Sequence, residues 1–459
     1  MYSKRPICQI IYRQPYPSFC RIEHVKRGLW MGHKDQYSHY IASLFQDFTY
    51  TIRDSIHKDI PLSHGFYLLS QTSVMQKLHR IKQLGPTYLT YPGSHHTRYE
   101  HSLGVFHLTR LIIIALLTKG EENPIKMTYK GILALLSAAM MHDVGHFPYA
   151  HALKDIIKPD HEAIGASLIE QDKEVISIIE EKIGTEVSFV TLILDHSRFC
   201  DDKEILLYRS LLSGTLDPDK LDYLSRDATY CGVPYGVQDT SYIIRHLHID
   251  HLGNVAIPEV AIGAVEHLLF SKYLMYKYVY WHKRTRSATS MIKKSVLMAL
   301  KEHLLSMEQL INLTDESFST LMLSLINYDC GKLFQAVHSG NLLHVASSLP
   351  YDKNNTRHQQ LAAESEREKI EVQIWEELVV HYPTLDPSFV IVDIPEEVSF
   401  EADVHISRNG LPSLQFHEVN ELFTPFVVDS FTTSLRKFRL FVPSFVASHI
   451  SDPIFKGFV

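Results

Sequence analysis

The chain has 459 residues, 45% of them hydrophobic and 21% charged, which is enough apolar side chain to offset the entropy of ordering it and argues against extensive disorder. Its formal charge of -7 argues against a protein that coats nucleic acid non-specifically, because that mode needs Lys and Arg to neutralise phosphates. The five cysteines, Cys8, Cys20, Cys200, Cys231 and Cys330, are scattered and form no C-x-x-C pair, which suggests neither a disulfide framework nor a cysteine zinc site and fits a reducing cytoplasm.

Taken in chain order, the first residues mix charge, proline and aromatics without the apolar run of a signal peptide. Residues 1–48 carry Pro6, Pro15 and Pro17 and no regular periodicity, so an extension is expected there, dispensable for the fold up to about Gln46. From Thr49 onward, apolar residues recur at three- and four-residue steps over 103–118, 129–142, 161–170, 203–213 and 263–305. That spacing predicts helices that each bury one face. Turn signals separate them at Tyr91-Pro92-Gly93-Ser94, at Gly145 with Pro148, and at Gly232-Val233-Pro234.

The most apolar runs, 111–117 and 131–141, fall short of the roughly 18 to 20 residues of a membrane span, so buried helices and no membrane partner are expected. Residues 352–368 are polar and charged and read as a mobile connection. Beyond Ser388, short β-rich runs at 389–393, 414–419 and 438–442 predict a small α/β lobe. The expectation is a mainly α protein: a catalytic domain over 49–305, then a helical and α/β lobe over 306–459.

Histidine numbers 28 and gathers in three places: His95, His96, His101 and His107; His142, His146 and His151; and His161. Neutral imidazole is the commonest metal ligand, and carboxylates supply the charge that holds a divalent ion. Asp143 follows an apolar run at 133–141 where an unpaired carboxylate is costly. Neighbours on a helix point apart, so His142 and Asp143 can share one ion only where the helix ends. Gly145 and Pro148 supply that end.

Around these residues stand Thr97-Arg98-Tyr99-Glu100-His101-Ser102-Leu103-Gly104, then Met141-His142-Asp143-Val144-Gly145-His146-Phe147-Pro148-Tyr149-Ala150-His151, then Leu216-Asp217-Pro218-Asp219-Lys220-Leu221-Asp222-Tyr223-Leu224-Ser225-Arg226-Asp227. With Ile52-Arg53-Asp54-Ser55-Ile56-His57, Arg80-Ile81-Lys82-Gln83-Leu84-Gly85 and Tyr91-Pro92-Gly93, they resemble the HD superfamily of phosphohydrolases. Within it the likeness is to the deoxynucleoside triphosphate triphosphohydrolase branch, over residues 50–305 and more weakly beyond.

The resemblance implies an HD-domain helical core and metal ligation by His101, His142, Asp143 and Asp219. Asp217 and Asp222 share the last motif, and spacing does not choose among the three aspartates. Two imidazoles and two carboxylates leave positions open for water and a phosphate oxygen, which makes a Lewis-acid site for Mn, Fe, Zn, Ni or Mg. The implied reaction is attack of water on the α-phosphorus, releasing nucleoside and inorganic triphosphate.

In that reaction His151 is the candidate acid for the leaving 5′ oxygen. His146 and His161 contact phosphate or tune its charge, and Glu162 orients an imidazole. Arg98 and Lys220, close to metal ligands in sequence, are the phosphate clamps. Gln83 and Asp227 are implied to recognise the sugar hydroxyl, and Tyr223 to pack on the deoxyribose. The aromatic and basic stretch of Lys272, Tyr276, Tyr280, Trp281, His282, Lys283, Arg284 and Arg286 could close over substrate, and none of it is assigned. A nucleotide effector and a homo-oligomer, dimer or tetramer, are further implications.

Three departures stand out. Lys154 occupies a position where relatives carry an acid, with Asp155 beside it as a substitute; Lys58 replaces a glycine; and Gln71 and His79 stand where guanine-nucleotide-activated relatives place an Asp and an Arg. The alternatives are another HD-type hydrolase of nucleoside monophosphates, cyclic or stringent-response nucleotides, or a weakly active nucleotide sensor.

Overall fold

The computed structural model describes residues 37–119, 123–154, 160–398, 400, 403–408, 411–447, 450, 455, 457 and 458. Helix α1 (Ser38–Gln46) leads into a hairpin of β1 (Tyr50–Asp54) and β2 (Lys58–Leu62), with Tyr50 opposite Leu62 and Asp54 opposite Lys58. Tyr37 and Leu44 are buried in the main core, and Arg110 gives its Nε to the Leu44 carbonyl at 3.1 Å. The end of the expected extension, from Tyr37 on, is therefore structural. A single short helix after three prolines gives too few turns for periodicity to announce it.

The hairpin turn carries Lys58 at φ 66, the left-handed region where a side chain is strained and glycine is not. Asp54 stabilises the turn from within, its Oδ1 accepting the amides of Ile56 at 2.9 Å and His57 at 2.7 Å.

Among the helices that build and cover the core are α2 (Arg98–Thr118), α3 (Tyr129–Met141), α4 (Ala150–Leu153), α5 (His161–Gln171), α6 (Val187–Leu194), α7 (Lys203–Ser213), α8 (Pro218–Cys231) and α9 (Ile262–Met275). By length and composition α2 could cross a membrane, but most of its apolar stretch is buried inside the protein. Burial on nearly every side explains why α2 and α3 read as continuous apolar runs. Side-chain caps mark the starts expected of such helices: Thr128 on α3, Asp160 on α5, Asp202 on α7 and Asp217 on α8. Gly232, at φ 68, closes α8.

The long helix expected over 263–305 is broken. After α9 a π turn spans Tyr276–Tyr280, Trp281 is buried, and His282 adopts extended backbone with its ring accepting the Arg284 amide at 3.3 Å before α10 (Lys283–Lys301) begins. Apolar spacing runs through the break, so periodicity conceals it.

Among the described residues the strands form two further sheets. One orders β3 (His248–Ile249), β4 (Val255–Pro258), β7 (His405–Arg408) and β8 (Leu411–Gln415), with β4 and β7 parallel and Ala256 opposite His405. The other places β9 (Lys437–Val442) between β5 (His344–Pro350) and β6 (Ile391–Asp393), antiparallel to both. Val404, Ile406 and Phe416 join the main core, so C-terminal chain packs directly on the helical region. The expected connection at 352–368 is instead largely helical, with Leu361 and Arg367 buried. Arg367 holds the carbonyls of Leu361 and Ala362 with one guanidinium nitrogen, a long-side-chain contact that a polar composition masks.

Candidate metal centre

Three stretches of chain meet at one point. The first turn of α2 presents His101, the end of α3 presents His142 and Asp143, and the first turn of α8 presents Asp219. His101 Nε2 lies 2.9 Å from Asp219 Oδ1 and 3.3 Å from His142 Nε2, while His142 Nε2 lies 3.4 Å from Asp143 Oδ1 and 3.9 Å from Asp219 Oδ1. The backbone leaves the helix in tight turns here, with Val144 N on Met141 O and His146 N on Asp143 O, so the two adjacent side chains face inward together. Gly145 permits this: a Cβ there would fall 2.0 Å from the His161 carbonyl oxygen at the start of α5.

The donor chemistry fits a cation. His142 Nδ1 faces the Ala139 carbonyl at 2.9 Å and must carry a hydrogen, while His101 Nδ1 faces Asp222 Oδ2 at 2.8 Å. Both Nε2 atoms are thereby turned toward the centre as acceptors. Burial pushes the His101 pKa down, but Asp219 and Asp222 on either side outweigh it and bring it up to about 10. A lone imidazole among carboxylates keeps a proton at neutral pH, and a divalent ion at Nε2 takes that proton's place. Burial opposes ionisation of Asp143, but His146, Arg98, His142 and His101 outweigh it and hold the carboxyl well below its ordinary value. His101, His142 and Asp219 are one set that could hold a metal ion, and Asp143, His146 and His161 are another beside it.

The remaining histidines form the adjoining wall. Ring centroids of His146 lie 3.9 Å from His161 and 5.2 Å from His151, and His161 Nδ1 lies 3.2 Å from Glu162 Oε2. His146, His151, His161, Lys154 and Asp160 line one small cleft. His146 is buried, its Nδ1 lying 3.2 Å from Asp143 Oδ1 without hydrogen-bond geometry and its Nε2 without a hydrogen-bond partner among the described residues. His151 keeps an exposed edge, yet the enclosing protein, Arg98, His161 and Lys154 hold its pKa down at about 3. Burial likewise brings His161 down to about 4 and raises the pKa of Glu162. Asp155 lies outside the described residues.

Several residues expected to touch substrate are already engaged. Arg98 Nη1 lies 2.7 Å from Asp143 Oδ2. Lys220 gives its Nζ to Asp217 Oδ2 at 2.5 Å and to the Gly214 carbonyl at 3.0 Å, so Asp217 is a helix cap and lysine partner. Asp227 accepts from Tyr280 Oη at 2.7 Å on one oxygen, and its other oxygen lies 2.7 Å from His96 Nε2. These bonds hold both side chains in place while one ammonium hydrogen of Lys220 and further lone pairs of Asp227 stay available to a ligand. Gln83 is different: its side chain is buried, with Oε1 lacking a partner among the described residues. Tyr223 is half-buried, its ring 6.5 Å from that of Tyr280. Of the basic and aromatic stretch, Arg286 is committed to Asp393, Arg284 Nε to the Leu89 carbonyl, and Trp281 is buried. His57, His96 and Arg226 were not singled out as site residues by the sequence, although His57 and Arg226 stand in motifs that it marks.

Residues 98–227 match the HD domain, and residues 238–424 match the HD associated region. Over these residues the chain is similar to HD-domain proteins. The HD match begins at Arg98 and ends at Asp227, so it contains His101, His142, Asp143 and Asp219, and HD domains bind divalent metals. YwfO of Bacillus subtilis is 33% identical over 252 residues, covering 55% of this chain and 56% of its own. Human deoxynucleoside triphosphate triphosphohydrolase SAMHD1 is 25% identical over 303 residues, covering 59% of this chain and 48% of its own. The chain thus spans about half the length of the curated relatives it matches. The crystal structure of a phosphohydrolase from Bacteroides thetaiotaomicron superposes with a TM-score of 0.67 at 23% identity, over 86% of this chain and 99% of that one, which shows a shared fold.

Proposed function

We propose that this protein is an HD-type, metal-dependent phosphohydrolase that converts deoxynucleoside triphosphates to deoxynucleoside and inorganic triphosphate. The observation that carries the reading is the meeting of His101, His142, Asp143 and Asp219 beside a cleft walled by His146, His151 and His161. Similarity to a deoxynucleoside triphosphate triphosphohydrolase supports the substrate class.

In this reading His101, His142, Asp143 and Asp219 hold a divalent ion. When bound, it supplies a Lewis acid for the phosphate and lowers the pKa of the attacking water. His146 and His161, both uncharged around neutral pH, offer N–H groups to phosphate oxygens. His151 gives a proton to the leaving 5′ oxygen; its low pKa in the empty cleft means that the anionic phosphates themselves must raise it. Gln83, with its free buried oxygen, accepts from a sugar hydroxyl, and Tyr223 packs on the deoxyribose. A nucleotide effector, a cytoplasmic setting and homo-oligomeric assembly belong to the same reading.

Lys154 and the depressed His151 pKa favour one rival, a slow nucleotide sensor. The test incubates purified protein with each deoxynucleotide and Mn or Mg, with and without a second nucleotide, and identifies the phosphorus product. Liberated triphosphate is expected, and Asp143→Ala should abolish it while the chain stays folded. Orthophosphate or pyrophosphate as the product would point to a different HD hydrolase, and tight binding without turnover to the sensor.

A further inference from the structure

Two sequence motifs, residues 52–57 and Asp222 within 216–227, have no part in the reading above, and the structure joins them behind the metal centre. Asp222 Oδ2 lies 2.8 Å from His101 Nδ1, and Asp222 Oδ1 lies 2.6 Å from His57 Nε2. Arg226 brackets the same carboxylate, with Nε 2.8 Å from Oδ2 and Nη2 3.0 Å from Oδ1. On its far side Arg226 Nη1 lies 2.8 Å from Asp54 Oδ2, and Asp54 is the residue that organises the hairpin turn bearing His57. Asp222 and Arg226 are both fully buried.

The helix facing this network is shaped for it. At Gly104, three positions beyond His101 on α2, a Cβ would lie 2.0 Å from Asp222 Oδ1 and 2.7 Å from Arg226 Nη2. Only glycine leaves space for the carboxylate. With both oxygens of Asp222 occupied, it is not free to act as a ligand itself, which separates it from Asp219 in the same motif.

We propose that Asp222 is a positioning residue for His101, and that the turn of the β1–β2 hairpin, through His57 and the Asp54–Arg226 pair, fixes Asp222. A carboxylate on Nδ1–H locks the imidazole tautomer and rotation that aim Nε2 at the centre, and strengthens it as a donor. A segment some 45 residues before His101 in sequence thereby becomes part of the metal centre.

The inference rests on the metal-centre reading, and Mn2+ titration of the purified full chain tests both. Asp222→Asn is expected to weaken Mn2+ binding by about 10- to 100-fold. His57→Leu should weaken it by several-fold, and His57→Gln, which keeps a donor toward Asp222, should restore most of the affinity. Circular dichroism restricts the comparison to folded protein, where a purely structural role would lower the melting temperature without moving the Mn2+ affinity. If Asp222→Asn does not fold, the His57 pair decides. Equal affinity in wild type, His57→Leu and His57→Gln overturns the positioning role alone, whereas a wild-type chain that takes up no Mn2+ overturns the metal centre with it.

Discussion

Arg98 Nη1 and Asp143 Oδ2 lie 2.7 Å apart, and both side chains are buried. A guanidinium expected to clamp phosphate is therefore, before any nucleotide arrives, the counter-charge of a candidate metal ligand. Removing one partner of a buried ion pair strands the other charge, at a cost of about 3–5 kcal/mol. Arg98→Ala should lower the melting temperature of the metal-free chain by that equivalent, and added Mn2+ should recover part of it, because a cation at the centre neutralises the same carboxylate. A thermal shift series with and without Mn2+ checks this, and an unchanged melting temperature in the variant would contradict it.

Lys154 shares a cleft with His151 and, after burial, Arg98 and His161, contributes to holding that imidazole down at about 3. An acid must be protonated to act, so a pKa that low leaves little acid at neutral pH. Lys154→Asp replaces a like charge with an opposite one and moves the His151 pKa upward. The alkaline limb of the pH–rate profile should then shift to higher pH, and kcat at pH 7 should rise about tenfold for each pKa unit gained. A profile that does not move would mean that His151 is not the acid.

The contrast between these residues and the network behind them explains what sequence could reveal. His101, His142, Asp143 and Asp219 each sit in a compact motif beside a helix end, and the helices that carry them or flank them, apart from the broken stretch at 263–305, follow their apolar spacing, so the candidate centre and its scaffold were legible. Lys220 and Asp227 sit in the same motifs, yet Lys220 turns back on the Asp217 cap and Asp227 faces His96 and Tyr280. No spacing rule reveals that a lysine beside a candidate ligand also closes a helix start. His57 and Asp222 are 165 positions apart, and the parallel pairing of β4 with β7 joins strands about 150 positions apart. Such contacts arise only when the whole chain packs, and one sequence carries no local trace of them.

Lys58 offers a test of the hairpin that is independent of catalysis. Its φ of 66 places it in left-handed backbone while its side chain is exposed. That conformation costs a non-glycine residue about 1–2 kcal/mol, and the extra freedom of glycine in the unfolded chain returns about 0.5–1 kcal/mol of it. Lys58→Gly should therefore raise stability by roughly 0.5 kcal/mol, read as a higher urea midpoint with an unchanged slope. A lower midpoint would show that the lysine side chain contributes a contact worth more than the strain.

Asp393, on β6, ties the C-terminal sheet to α10. Its carboxylate receives Arg286 Nη2 at 2.5 Å, Arg286 Nε at 3.1 Å and Ser290 Oγ at 2.7 Å. Burial alone would raise the Asp393 pKa, but Arg286, Arg439 and Ser290 outweigh it and hold the carboxyl below its ordinary 3.8. The folded state therefore binds this proton less readily than the unfolded chain does. The stability it contributes is fully present above the unfolded pKa of about 3.9 and drains away as pH falls through that value toward the folded one. Asp393→Asn leaves Arg286 facing a neutral amide and should cost about 3–5 kcal/mol at pH 7. Below about pH 4 the gap between wild type and variant should narrow, because protonation makes the two side chains nearly equivalent. Urea unfolding of both proteins at pH 7, 5 and 3.5 reads this directly, and a gap that stays constant across the series would show that the charge of Asp393 is not what joins the sheet to α10.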